Sequence, residues 1–200
     1  FKKKRMKQDW NIFDTAILSI GQGIILITPL QAATYMAAIA NNGKAFKPHI
    51  LKAVFDHYGN LIAERKNEQL CLNINLPKDY FDIIRQGMFD VVNSSTGTGR
   101  KAKSDKITVF AKTGTAEIAK SSDEKKKNTW MAGFAENESA KYSFALLIED
   151  GISGGTTCAP LIKQFFDEFL RLFKDSNIDN SIALHVIWIE RKWKEMNDCE

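Results

Sequence analysis

The sequence predicts an α+β fold, an antiparallel β-sheet flanked by helices. Three strand-like segments follow one another at residues 107–119, 129–135 and 141–149. The last two are joined by a short polar turn at 136–140, the spacing of an antiparallel meander. A helix then starts near Pro160. Its face of Ile162, Phe165, Phe166, Phe169, Leu170 and Phe173 is apolar enough to cover such a sheet.

The earlier elements follow from local signals. Residues 28–43 predict a core helix, with Thr28 as N-cap, Pro29 at the first helical position and Gln31 completing a capping box. Its stripe is Leu30, Ala33, Thr34, Ala37 and Ala38, and Gly43 ends it in a left-handed conformation. Residues 46–55 and 61–64 read as a hairpin around Tyr58, Gly59 and Asn60. A second helix follows Pro77, with Phe81, Ile84, Met88, Val91 and Val92 at helical spacing. Gly87 inside it costs about 1 kcal/mol against alanine, so tight packing is the expected reason for it. The helix gives way to a small polar loop, residues 93–99. In the tail at 181–194, Ile182, Val186, Ile189 and Trp193 fit a helix face, while Ile187-Trp188-Ile189 is equally strand-like. The expectation taken for this tail is an accessory helix, on the domain or at a membrane surface.

Composition narrows the function classes. The 200 residues are 44% hydrophobic and 26% charged, which excludes disorder and a collagen or disulfide-knot scaffold. No apolar run approaches the roughly 18 residues of a membrane span. The net charge of +4 is uneven, with +5 in the first seven residues and +5 again over residues 100–127. Those basic runs carry no stacking aromatics and no reading motif, so nucleic acid is not an expected partner. The charged loop at 120–127 is expected to be a solvated loop. Cys71, Cys158 and Cys199 are far apart, and His49, His57 and His185 are scattered. No metal or other cofactor is expected from them.

The chemistry-bearing candidate is Lys112-Thr113-Gly114-Thr115, at the end of a predicted strand. Lysine supplies a positive charge. Threonines at alternate positions place two hydroxyls on one side of the strand. Gly114 lets a ligand approach the backbone closely. Together they suit a carboxylate-bearing substrate, or a peptide, lying along a strand edge. Trp130 on the next strand fits a cleft wall or a sheet face equally well.

Around that tetrapeptide stands an ordered series of words. Ser19-Ile20-Gly21-Gln22-Gly23, Thr28-Pro29-Leu30-Gln31, Ala38-Ile39-Ala40-Asn41-Asn42-Gly43 and Lys47-Pro48-His49-Ile50 come first. Gly87-Met88, Val91-Val92, Gly97-Thr98-Gly99, Lys112 to Glu117, and Trp130-Met131-Ala132-Gly133-Phe134-Ala135 follow. The series resembles the C-terminal part of the transpeptidase domain of class B penicillin-binding proteins, over about residues 10–173. The Ser-Ile-Gly-Gln-Gly form looks most like the cell-elongation branch, penicillin-binding protein 2.

The resemblance implies a serine acyltransferase that cross-links peptidoglycan. In that family a serine in S-x-x-K attacks the penultimate D-alanine carbonyl of a stem peptide, and a second element, S-x-N or S-x-D, helps move protons. Carried over by position, Lys112 gives positive charge near the catalytic hydroxyls and Thr113 and Thr115 bind the terminal carboxylate. The Thr115 N–H is half of the oxyanion hole, and Gly114 keeps the strand open to substrate or β-lactam. Lys112 and Thr115 are thus the implied catalytic residues, and Thr113, Gly114 and Thr115 the substrate-binding ones. The implied partners are peptidoglycan stem peptides, β-lactams and cell-elongation proteins. The implied location is the cytoplasmic membrane, with the catalytic domain on its outer side. A β-lactam sensor and a non-catalytic binding module of the same fold are the alternatives.

The departure from the family is that no S-x-x-K stands in a plausible setting. Ser139-Ala140-Lys141 has the wrong spacing, and Ser104, Ser176 and Ser181 lack lysine at the third position. Asn93-Ser94-Ser95 is like the second element only superficially. The chain also begins at Phe1, with no signal-peptide pattern. The expectation is a fragment, inactive by itself, with nucleophile and membrane anchor upstream. Residues 1–175 are then the C-terminal portion of the transpeptidase domain, and 176–200 a tail of uncertain structure.

Overall fold

The computed structural model describes residues 2–66, 68–70, 74, 76–118, 126–138, 140–174 and 185–192, with backbone alone for 173–174 and 185–192. Helix α1 is the short Lys2–Met6, and α2 is Ile12–Ser19. Ile12, Phe13 and Ile20 are each more than 70% exposed, so burial does not hold α2 in place. Its support is local: Asn11 and Asp14 form a reciprocal capping box, and Lys2 pairs with Asp14.

Helix α3, Pro29–Ala40, forms where its caps predict, with Thr28 Oγ1 accepting from Gln31 N and Gln31 Oε1 accepting from Thr28 N. Its buried face is Ala32, Ala33, Met36, Ala37, Ala38 and Ala40. Leu30, expected in the stripe, is 45% exposed because it sits in the first turn, ahead of the packed segment. Gly43 has φ +91° and closes the helix in the left-handed region. Strand β1, Ala45–Phe46, follows; β2, Ala53–Phe55, pairs with β3, Leu61–Glu64; β4, Gln69–Leu70, returns to β1. The predicted hairpin is present, but its first strand is shorter than expected. Asp56 Oδ1 accepts from Tyr58 N and Asn60 N, both at 2.8 Å, and fixes the turn.

Helix α4, Lys78–Asn93, buries Phe81, Met88 and Val92. Ile84 is 41% exposed. Gly87 is exposed, and a Cβ there would meet nothing within 4 Å, so packing does not account for it, contrary to expectation.

Three long strands form the sheet: β5, Thr108–Ile118; β6, Lys126–Glu136; and β7, Lys141–Glu149. They pair antiparallel in the predicted meander, with β5 at one edge. Residues 154–158 then make a π-helical turn leading into α5, Ala159–Lys174. The last strand, β8, is His185–Lys192, parallel to β7. The expected tail helix is therefore a strand over these residues. The β-branched and aromatic run Val186-Ile187-Trp188-Ile189 suits pleated pairing, and the free edge of β7 offers unpaired backbone groups. Parallel pairing requires a crossover, and α5 lies between the two strands in sequence.

Both faces of the sheet are covered. Val109, Ala111, Met131, Ala135, Tyr142, Phe144, Leu146 and Ile148 pack with Ile162 and Phe166 of α5. Ala132, Phe134 and Ala145 pack with Ala32, Ala33, Met36 and Ala40 of α3. The alanines on both sides of that second contact permit close approach of helix and sheet. Helix α4 crosses the outer edge of β5, placing Met88 in one cluster and Val92 in the other. Arg85 joins these layers: Nη1 donates to Ala40 O at 2.8 Å, ending α3, and Nη2 to Glu136 Oε1 at 2.9 Å. Its guanidinium lies 5.7 Å and 5.2 Å from the Phe110 and Phe134 ring centres.

Two stability predictions follow from these contacts. A Cβ on Gly133 would lie 2.0 Å from Phe110 O and 2.7 Å from Ala111 Cα. Gly133→Ala should therefore cost about 1–3 kcal/mol or more, whereas Gly87→Ala should add about 1 kcal/mol. Urea unfolding measures both, and a Gly133→Ala midpoint equal to wild type would refute the close contact. Asp167 on α5 accepts from Lys163 and from Ser104 Oγ at 2.7 Å. The Lys163 bond first, then Ser104, holds its carboxyl below the usual range. A depressed folded pKa stabilises above the unfolded value near 4 and the benefit is lost as pH falls through the folded value. Asp167→Asn should thus cost about 1 kcal/mol at pH 7 and much less near pH 3. A pH-independent loss would contradict this assignment.

Candidate active site

The site is built on the open edge of β5. In an antiparallel strand, each residue's N–H and C=O project to the same edge, alternating along the chain. Val109 O accepts from Asn93 Nδ2 of α4 at 3.3 Å, and Gln22 Nε2 reaches Thr115 O at 3.5 Å. Those two carbonyls fix the parity. Val109, Ala111, Thr113 and Thr115 turn their backbone groups outward, and Lys112, Gly114 and Ala116 turn theirs toward β6. Helix α4 covers the beginning of that edge, so the N–H groups of Thr113 and Thr115 face outward beyond it.

Side chains obey the same parity across the sheet faces. Thr113 pairs with Met131 and Thr115 with Thr129, so both hydroxyls lie on the α5 face. Lys112 pairs with Ala132 on the α3 face, yet its ammonium curls around the edge to donate to Thr113 O at 2.6 Å. The three groups thus meet at one stretch of edge.

Two glycine-rich turns close over the α5 face. Thr98 Oγ1 lies 2.8 Å from Thr113 Oγ1. Gly154 N donates to Thr115 Oγ1 at 3.4 Å. A Cβ on Gly154 would lie 2.3 Å from Trp130 O and 2.8 Å from Gly114 O, and one on Gly155 would lie 2.1 Å from Thr98 O. Backbone therefore packs directly on backbone, which only glycine allows. Ser153 begins the second turn, its side chain accepting from Thr156 N at 3.1 Å. Between the turns and β5 is a cavity of about 390 Å³, lined by Thr113, Gly114 and Thr115, by Gly97, Thr98, Arg100 and Lys101, and by residues 153–156. Among the described residues, five hydroxyls and two cationic side chains line it, and no carboxylate does. The backbone N–H groups that open α5 add partial positive charge on the same side. Such a cavity suits an anionic, hydrogen-bond-accepting ligand.

The structure brings Lys112, Thr113, Gly114 and Thr115 together, as the spacing suggests. Gly114 is flanked by the Gly154 turn on one face and by Trp130, whose Cβ lies 3.4 Å from the position of an added Cβ, on the other. Trp130 packs with the α3-side cluster, on the face opposite the threonine hydroxyls. The partners Thr98, Ser153, Gly154 and Thr156, and the reach of Gln22 to Thr115, were not assigned roles from sequence. Gln22 and Thr98 stand within two of the ordered words, Ser19 to Gly23 and Gly97 to Gly99, and the signal for the second turn is glycine density at Gly151 to Gly155. Most of the charged loop, residues 119–125, lies outside the described residues, and so does the sequence's one S-x-x-K spelling, Ser122 to Lys125. Lys126 belongs to β6 and pairs with Asp150 at 3.2 Å. Cys158 is buried, and burial pushes its thiol up to about 11, so it is not a reactive nucleophile. Cys71 and Cys199 lie outside the described residues. His49 and His57 are exposed, away from the cavity lining. Among the described residues, no group of three His, Cys, Asp or Glu is placed to hold a metal ion, and no helix is long and apolar enough to cross a membrane.

Comparison with known proteins agrees with this geometry. Residues 2–167 match the penicillin binding protein transpeptidase domain. The chain is 33% identical over 183 residues to the peptidoglycan D,D-transpeptidase MrdA of Haemophilus influenzae, covering 85% of this chain and 28% of that protein. With the MrdA protein of Acinetobacter baumannii it shares 31% identity over 189 residues, 89% of this chain and 27% of the relative. It therefore spans less than a third of the length of these curated relatives. Among solved structures, penicillin-binding protein 2B of Streptococcus pneumoniae superposes with a TM-score of 0.62 at 20% identity, over 86% of this chain and 29% of that one. Penicillin-binding protein A of M. tuberculosis, as an imipenem acyl-enzyme complex, gives 0.60 at 21% identity, over 77% and 33%. The α+β fold is theirs, and with the family match spanning most of its length the chain belongs to the penicillin-binding protein transpeptidase domain family.

Proposed function

We propose that the chain forms one wall of the active site of a serine-type peptidoglycan D,D-transpeptidase. The observation that carries this reading is the outward-facing edge at Thr113 and Thr115, beside a cavity lined by hydroxyls and cations. A stem peptide lies along that edge as an added strand, held by main-chain hydrogen bonds. Its terminal carboxylate accepts from the Thr113 and Thr115 hydroxyls and is attracted by Lys112. The scissile carbonyl points at the Thr115 N–H, which donates to the oxygen as negative charge develops there. A serine hydroxyl then attacks the carbonyl carbon, and the terminal D-alanine leaves with a proton on its nitrogen. An amine of a second stem displaces the serine and completes the cross-link. β-Lactams, with a carboxylate beside a strained amide, enter by the same contacts.

The wall itself binds and orients and does not attack. Among the described residues, Ser153 is the one serine lining the cavity, and its hydroxyl donates to Thr156 Oγ1 at 3.0 Å. In this reading the whole protein works in cell elongation, at the outer side of the cytoplasmic membrane, with the elongation machinery as its partners.

Two measurements test the reading. Titration of the chain with acetyl-Gln-D-Ala-D-Ala, followed by amide NMR shifts, should move the residues 112–115. Thr115→Val should weaken binding about tenfold, the loss of one charge-assisted hydrogen bond. Equal binding of the peptide with its terminal carboxylate amidated would remove the carboxylate role. Intact-mass analysis after incubation with benzylpenicillin should find no stable adduct, and a stoichiometric one would place the nucleophile within these 200 residues.

A further inference from the structure

The cavity is larger than the Thr113 and Thr115 hydroxyls require. One carboxylate fills a small part of about 390 Å³, which is a volume typical of small-molecule sites. Its far wall is the turn Arg100–Ala102, which is held rigidly to the core. Gly99 N donates to Val91 O at 2.9 Å, Ala102 N donates to Gly99 O at 2.8 Å, and Ala102 is wholly buried. From this turn Arg100 and Lys101 both line the cavity.

Among the described residues, the protein's cations divide into paired and unpaired ones, and the two at this cavity belong to the second group. Arg85, Lys126, Lys141 and Lys163 are each paired with a carboxylate. Arg100 and Lys101 have no acidic partner among the described residues. Arg100 Nη1 donates to Ser95 O at 3.1 Å, which fixes the guanidinium and leaves its other N–H donors for a ligand. Adjacent cations repel one another, so their placement at one cavity, with no counter-ion among the described residues, favours an anion between or beside them.

We propose that Arg100 and Lys101 form a second anion subsite that binds a side-chain carboxylate of the substrate while the Thr113 and Thr115 end holds its terminal carboxylate. The inference rests on the transpeptidase reading and deepens it: the preferred ligand class is a peptide with two carboxylates. The subsite discriminates by charge and does not take part in bond making.

An isosteric pair of probes isolates that charge. Acetyl-Gln-D-Ala-D-Ala has one carboxylate and acetyl-Glu-D-Ala-D-Ala has two. Titrated into the chain, the second should bind about five- to tenfold more tightly and shift the Arg100 and Lys101 amides. The ratio should fall toward one in the Arg100→Gln/Lys101→Gln double variant and at high salt, and Arg100→Lys should retain most of it. A ratio of one in the wild-type chain, with shifts at residues 112–115 from both probes, overturns the subsite and leaves the transpeptidase reading intact. Absence of shifts at 112–115 with either probe overturns that reading, and the subsite with it. A preference for the two-carboxylate probe that survives the double variant places the second anion elsewhere and also overturns the proposal.

Discussion

The register between β5 and β6 is the constraint on which the site depends. Eleven consecutive pairs, from Thr108 with Glu136 to Ile118 with Lys126, set which groups of β5 turn inward and which remain at the edge. A slip of one residue would move the Thr113 and Thr115 hydroxyls to the α3 face and their N–H groups into the sheet. Lys112 and Gly114 would then occupy the edge. Register is held by burial on both faces. Val109 and Ala111 must meet the α5 side while Ala132 and Phe134 meet the α3 side. Gly133 tightens the specification, because only a residue without Cβ fits against Phe110 O.

A second layer of specification comes from the turns. Gly154 and Gly155 bring the entry to α5 into backbone contact with β5, β6 and the Thr98 loop. Those contacts convert a flat sheet edge into a cavity. They also place hydroxyls and N–H groups around it in a polarity that matches an anion. The same core that fixes the sheet fixes these turns: Ala102 on one side and Cys158 and Ala159 on the other belong to the α5-side cluster. The positive character of the cavity is therefore held by apolar packing, while its cations stay near solvent, where ionisation is cheap.

Legibility in the sequence differed by element. Helix α3, strands β5 to β7 and helix α5 were readable because each carries a strong local pattern: a capping box, alternation, or an aromatic stripe. The tail was not. Val186-Ile187-Trp188-Ile189 supports either periodicity, and the free edge of β7 decides for a strand. Gly87 departs from its expectation because a glycine in a helix suggests packing, whereas this position faces solvent with nothing within 4 Å of an added Cβ. The tetrapeptide Lys112 to Thr115 was suggested by alternation and residue chemistry, and the ordered words around it singled it out. Its partners Thr98 and Gly154 were not, since each is joined to it only by the folding of a turn.

By itself, the sequence determined α3, the β2–β3 hairpin, α4, strands β5 to β7 and α5, their order and the side of β5 that carries two hydroxyls, because these follow from periods of 3.6 and 2 and from caps. The ordered words also pointed to the family. Tertiary structure alone decided that the outer edge of β5 stays open beyond α4, that the Lys112 ammonium bends to that edge, and that two distant glycine turns enclose a cavity with Arg100 and Lys101 on its far wall. The physical reason is range. Propensity and patterning act within a turn or two of chain, whereas enclosure and electrostatic focusing require segments about 40 to 60 residues apart to meet, and only the packed core brings them together.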